Sequence, residues 1–569
     1  MTEQHHSRMN DTPRHRGRRE RQLFSFSVPP CLGVSHSVRS AARAAVVLLL
    51  LAVLCAAPGA QSPRPLIDAV QRGDHAAVRT LLRDKTLVNQ ASPDGTTALH
   101  YAVQSNDVGL VQLLLGAGAN VKASNRYGVQ PLTLAAENGS EPVLALLLKA
   151  GADPNTVTDA GEPVLMTAAR TGSVEAITRL TAAGADVNVR ERWFGETALM
   201  WAAAENHAAA VQALVKAGAD INARSQVIDA PVLEFPRSGG PNSPFPRGGW
   251  TALMFAARQG AIDAARTLAD LGANLNLAAL PETDVPLKAE EMRSADNGVG
   301  TTALVFAIIN VHYDLAAVLI EKGANPNVLD LAGMGPLYAA ADMNSLQWVQ
   351  GRPAPILSDT LDGADIVRLL LQKGADANAR LKTRPLKRHH DAGSTLNFGE
   401  GTTPLMRAAR TGDVAVMKAL LDGGANPFLT LPDGTNALLL AAGQGYGGVR
   451  GDGIRIVVPT PEDAAGAVAL LLERGVDIDS FNTAGNTALH AAIARGDAVV
   501  KVLASRHARL IKNKQGATPL DLASGGGGRG GRGAGGGRGA GGGRGGPGAP
   551  PRESTLAILR QYYPEAKTN

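Results

Sequence analysis

Cysteine is nearly absent: the 569 residues hold two, Cys31 and Cys55. Both precede or lie within an apolar leader, so a processed chain has no disulfide and no thiolate metal site. Catalytic patterns are missing as well. There is no His-Glu-x-x-His, no nucleophile elbow around a serine and no Walker phosphate loop. Gly443, Gly445 and Gly448 have dinucleotide-loop spacing, but such a loop needs a strand before it and a helix after it, and this run follows a helical pattern. His389, His390 and Asp391 adjoin without a further ligand at recognisable spacing, which reads as a solvated loop. These absences give an enzyme no support, leaving one built from the insertion loops as the most distant alternative, and leave no cofactor or metal to expect.

Long apolar runs are lacking too. The run Ala44–Leu54 falls short of the roughly 20 residues that a bilayer-crossing helix needs. Arg39 and Arg43 precede it, and Ala56, Ala57, Gly59 and Ala60 follow, the order of a secretory signal. Residues 39–60 are therefore expected to be a signal peptide of an exported, periplasmic or secreted chain, with membrane anchorage by residues 41–60 as the alternative. Residues 1–38 are rich in Arg, His and Ser without apolar periodicity and read as a disordered tail. The net charge of +5 owes much of its excess to that tail and to a Gly-Arg tract, so it says little about the core.

What the chain does have is repetition. In GTTPLMRAARTGDVAVMKALLDGGANP, Gly401–Pro427, Thr403 is placed to cap a helix that Pro404 opens. Leu405, Ala408 and Ala409 share one face of that helix. Gly412 breaks it, Val414, Met417, Leu420 and Leu421 form the stripe of a second helix, and Gly424 ends that one in a left-handed cap. One such unit has too little apolar area to fold alone. A marker glycine recurs at 95, 128, 161, 195, 249, 300, 333, 401, 434, 485 and 516. A first, capping copy begins at Pro65. Copies start near 62, 94, 127, 160, 194, 248, 299, 332, 400, 433, 484 and 515, about twelve in all.

The phrases DGTTALHYA at 94–102 and GNTALHAA at 485–492, with the closing GAD and GAN triplets, resemble ankyrin repeats across residues 62–565. The resemblance is to bacterial-type exported members of that family. It implies an all-α solenoid of helix-turn-helix repeats with finger loops. Met166, Met200, Met254 and Met406 stand where the family usually has histidine, which removes a side-chain hydrogen bond to the capping threonine. Insertions near 225–248, 279–298 and 380–399 fall on the finger edge. Those near 344–361 and 446–460 fall between the two helices of a repeat. The Gly-Arg tract, 525–548, reads as a disordered insertion of the latter kind, because STLAILRQYY at 554–563 has second-helix spacing.

The resemblance also implies a non-catalytic scaffold that binds a protein on its concave side through finger tips and first-helix ends. By position this points to Tyr127, Trp193, Phe194 and Trp250, with Phe235 and Phe245 in a nearby insertion, in a chain only 4% aromatic. Glu137, Asn138, Arg170, Thr171, Glu205, Arg258, Gln259 and Arg410 form the polar rim. The competing reading is that the aromatics pack on their own insertion. Arg380, Lys382, Arg384, Lys387 and Arg388 form a basic finger cluster for an acidic partner, or simply a solvated face. Arg529, Arg532, Arg538 and Arg544 are the residues for polyanion or RNA binding, although no Phe or Tyr is interleaved for stacking, which disfavours nucleic acid. A membrane-tethered scaffold or inhibitor is the other alternative, and the protein is expected to be monomeric.

Overall fold

A computed structural model describes residues 64–229, 246–279, 300–345, 359–383, 399–444, 460–525 and 552–566. The tail, the leader and the Gly-Arg arginines lie outside these residues, as do Phe235, Phe245, Arg384, Lys387, Arg388, the 389–391 cluster, Gly445 and Gly448. Among the described residues, the unit from Arg64 onward is an all-α solenoid of twenty-four helices in twelve pairs. The first pair is Pro65–Gln71 with His75–Leu81, and the last is Pro519–Ala523 with Glu553–Tyr562. First helices pack on first helices of adjacent repeats, and second on second. Among the described residues the only paired strands are Ile228–Asp229 and Pro246–Arg247, antiparallel, with Ile228 opposite Arg247.

Local chemistry explains each pair. In repeat 9, Pro404–Thr411 and Val414–Asp422, the Thr403 hydroxyl accepts from the Met406 N–H at 3.3 Å and Gly412 caps the helix at φ +66°. The Asp413 carboxylate then caps the second helix by accepting from Val416 N–H at 3.1 Å. Leu405, Ala408, Ala409, Val416, Met417 and Leu420 are buried. Each such Leu is worth about 2 kcal/mol on burial, too little per repeat to offset the ordering of more than thirty residues without neighbours.

The capping histidines are structural. His490 Nδ1 accepts from Thr487 N–H at 3.1 Å and lies 2.9 Å from its hydroxyl, while Nε2 reaches the Ala517 carbonyl of the next repeat at 3.0 Å. His100 does the same with Thr97 and Val129. Burial lowers both pKa values, favouring the neutral ring that this pattern requires. Where methionine replaces histidine, the substitution is less empty than expected. The Met200 sulfur accepts from Thr197 N–H at 3.4 Å, but the Thr197 hydroxyl is buried without a partner. Met200→His is therefore expected to raise stability by about 1 kcal/mol, read as a higher urea midpoint with unchanged slope. A lower midpoint would refute this reading of the cap.

A second tie joins the turns that leave the second helices. Asn188 donates from Nδ2 to the Gly218 carbonyl at 3.1 Å and accepts from Asp220 N–H at 2.8 Å. Asn89, Asn155, Asn327 and Asn378 repeat the arrangement one repeat apart. Lys122 and Phe428 occupy the same register without forming that tie.

Candidate functional site

The finger hairpins lead directly into the first helices. Finger tips join by backbone bonds, such as Arg126 N–H to Asp94 O at 2.8 Å and Gln226 N–H to Phe194 O at 2.7 Å. On this lattice the three tip aromatics are outward. Tyr127 is 56% exposed, Trp193 58% and Phe194 47%, in a structure whose other large apolar side chains are mostly buried. Tyr127 and Trp193 are held in place by neighbours. The Arg126 guanidinium lies 4.7 Å over the Tyr127 ring and hydrogen-bonds its hydroxyl. The Trp193 indole donates to the Ala160 carbonyl of the preceding finger at 2.7 Å, and Arg192 stacks at 5.3 Å. Glu191, itself buried, holds the tip by accepting from the N–H groups of Trp193, Phe194 and Glu196.

Trp250 differs from these three. It is half-buried and packs edge-on against Phe255 at 5.5 Å and Phe306 at 5.1 Å, with Arg258 at 5.1 Å over its ring. Those partners come from the first helices of repeats 6 and 7, Ala252–Gln259 and Ala303–Ile309, rather than from an insertion. The indole is thus floor, not tip.

The rim residues divide further. Glu137 and Glu205 are exposed. Asn138 is occupied structurally, its Nδ2 donating to Val103 O at 2.9 Å. Arg170 lies 3.9 Å from Glu162 and 6.0 Å over Trp201, joining repeat 4, whose first helix is Val164–Arg170, to repeat 5, whose first helix is Ala198–Ala204. Arg410 donates to Gln444 O at 3.3 Å and accepts at its carbonyl from Arg495, well away from the aromatic repeats.

Of this floor the sequence alone points to Trp250, Arg170 and Arg258, but not to Glu162, Glu196, Trp201, Phe255 or Phe306. Glu162, Glu196 and Trp250 follow their marker glycines where Thr96, Thr301, Thr402 and Thr435 stand in other copies. Trp201, Phe255 and Phe306 share the fourth position of their helices. Alignment of the copies in register carries that signal, whereas searching beside the tips does not. Exposed Phe428, at 59%, and Phe481, at 64%, were missed as well. Burial, and then the neighbouring Glu191 carboxylate, raise the Glu196 pKa against weaker opposing contributions from the Trp201 indole N–H and Arg258.

Models of ankyrin repeats match residues 41–125, 66–158, 132–225, 362–450 and 462–529. The chain belongs to the ankyrin-repeat family. Further ankyrin-repeat models match residues 199–269 and 299–331. The chain is similar to a mouse protein described as B-cell lymphoma 3 protein homolog, at 29% identity over 238 residues, 38% of this chain and 45% of that one. The match thus spans less than half the length of that relative. Ankyrin repeats generally mediate protein–protein interaction.

Proposed function

We propose that the chain is a non-catalytic scaffold whose inner face, over repeats 3 to 7, holds a protein partner. The observation that carries this is the set of three exposed aromatics, Tyr127 on one finger and Trp193 with Phe194 on the next but one, the first two held by specific contacts. Water-exposed rings of that size gain most from being covered, and a prepositioned ring loses little entropy when covered. Export is part of the same proposal and rests on the leader at residues 39–60. Recovery of exported chain that begins before residue 39 would refute its cleavage.

The face itself is tested with the triple variant Tyr127→Ala, Trp193→Ala, Phe194→Ala of the full chain, after circular dichroism shows its helix content unchanged. A loss of partner affinity of about thirtyfold or more is expected, as for removal of an interface hot spot of about 2 kcal/mol. Undiminished affinity would sink the proposal.

A further inference from the structure

The hydrogen bonds that tie one finger hairpin to the next are present on both sides of one junction and missing at it. Hairpin 89–97 is joined to hairpin 122–130 at base and tip. At the base the Asn89 amide donates to Gly118 O at 3.3 Å and accepts from Asn120 N–H at 2.7 Å, and at the tip Arg126 N–H reaches Asp94 O at 2.8 Å. His100 adds a bond from Nε2 to Val129 O at 3.0 Å. From hairpin 155–163 onward the ties resume: the Asn155 amide holds Gly184 O at 3.1 Å and Asp186 N–H at 2.8 Å, and the Trp193 indole donates to Ala160 O. Between these two blocks Lys122 stands in the asparagine register, facing the places of Gly151 and Asp153. An ammonium donates but cannot accept, so it takes nothing from the Asp153 N–H. Among the described residues no backbone bond joins the tips of hairpins 122–130 and 155–163, although Gly128 and Asp159 approach closely. The hydrogen bond that remains there runs from the Thr156 hydroxyl to the Gln130 side chain at 3.4 Å. Phe428 interrupts the same ladder, but its neighbourhood keeps Thr483 N–H to Asp433 O at 2.7 Å and Asn436 Nδ2 to Ser480 Oγ at 2.9 Å.

We infer that the finger layer is hinged between residues 122–130 and 155–163, so that the finger carrying Tyr127 splays from the block carrying Trp193 and Phe194. The first helices of repeats 3 and 4, Pro131–Glu137 and Val164–Arg170, stay packed beneath the junction, so the fingers part while the repeats do not. Local opening follows the sparsest hydrogen bonding, and here both the base tie and the tip bond are gone. The close approach of Gly128 to Asp159 sets the closed limit. The hinge makes the separation between Tyr127 and the other two exposed rings adjustable, which lets the fingers close on whatever they hold. That consequence rests on the inner face being the binding face. The hinge itself does not.

The test restores the missing tie. Spin labels attached at Ala91→Cys and Val157→Cys, in the full chain with Cys31→Ser and Cys55→Ser, straddle the junction, and double electron–electron resonance reads the spread of their separation. Lys122→Asn supplies a donor for Gly151 O and an acceptor for Asp153 N–H. It should narrow the spread and slow amide exchange in residues 122–130 about fivefold, the factor for one hydrogen bond of ordinary net strength. Phe428→Asn, which mends the other interruption, should do neither. A spread that Lys122→Asn leaves unchanged, or that Phe428→Asn narrows equally, overturns the inference. Both readings are taken without a partner, so the hinge can fail while the finger triple variant still loses its partner, and the face can fail while the hinge stands.

Discussion

Arg407→Ala should destabilise the stack by about 3 kcal/mol, in the range for breaking one side of a buried ion pair. Arg407 holds the fourth position of its first helix, where other repeats place Trp201, Phe255 or Leu440. Its side chain is 5% exposed and pairs with Asp342, 16% exposed, at the end of the first helix of repeat 8, Pro336–Ser345. Truncation leaves the Asp342 charge in a low-dielectric junction, which is the source of the cost. The double variant Asp342→Leu/Arg407→Met removes both charges and should recover most of the loss. Hydrogen exchange is the suitable readout, because repeats lose structure locally. Faster exchange should be concentrated in Pro336–Ser345 and Pro404–Thr411. Equal losses in the single and double variants would show that the pair's charge is not what matters.

Gly128→Ala should cost about 2 kcal/mol or more, and here the cause is steric. Gly128 sits at φ +74°, and a Cβ there would meet the Asp159 backbone nitrogen at 2.3 Å and its carboxyl group at 2.4 Å. The adjoining finger tips stack too closely for any side chain at that point. Gly118→Ala is the matched control. Its φ is +93° but nothing lies within 4 Å, so only the conformational penalty remains, about 1 kcal/mol. Comparable urea midpoints for the two variants would remove the close approach of the fingers from the explanation.

The architecture was legible because it is repeated. Thr403, Pro404, Gly412 and Gly424 each announce a helix boundary through backbone chemistry that needs no tertiary context, and the copies agree. Side-chain contacts across repeats were less legible. Nothing local to Trp250 says that Phe306, half a hundred residues on, will meet it edge to edge. Arg407 looks like a surface residue until Asp342 is seen beneath it. Met200 shows the same limit in small: losing histidine removes one hydrogen bond, but the sulfur's geometry, which replaces part of it, depends on how Thr197 is held. Tyr127, Trp193 and Phe194 could be placed at finger tips from the marker glycines alone. That Tyr127 and Trp193 are held outward depends on Ala160, Arg126 and Arg192, and only the stacked fingers bring Ala160 to Trp193.

Oxidative footprinting of the full chain, free and bound to a captured protein partner, addresses the face most directly. Protection at Tyr127, Trp193 and Phe194, with Phe428 and Phe481 unchanged, is the expected result. Protection confined to Phe428, Phe481 or the second helices would contradict it.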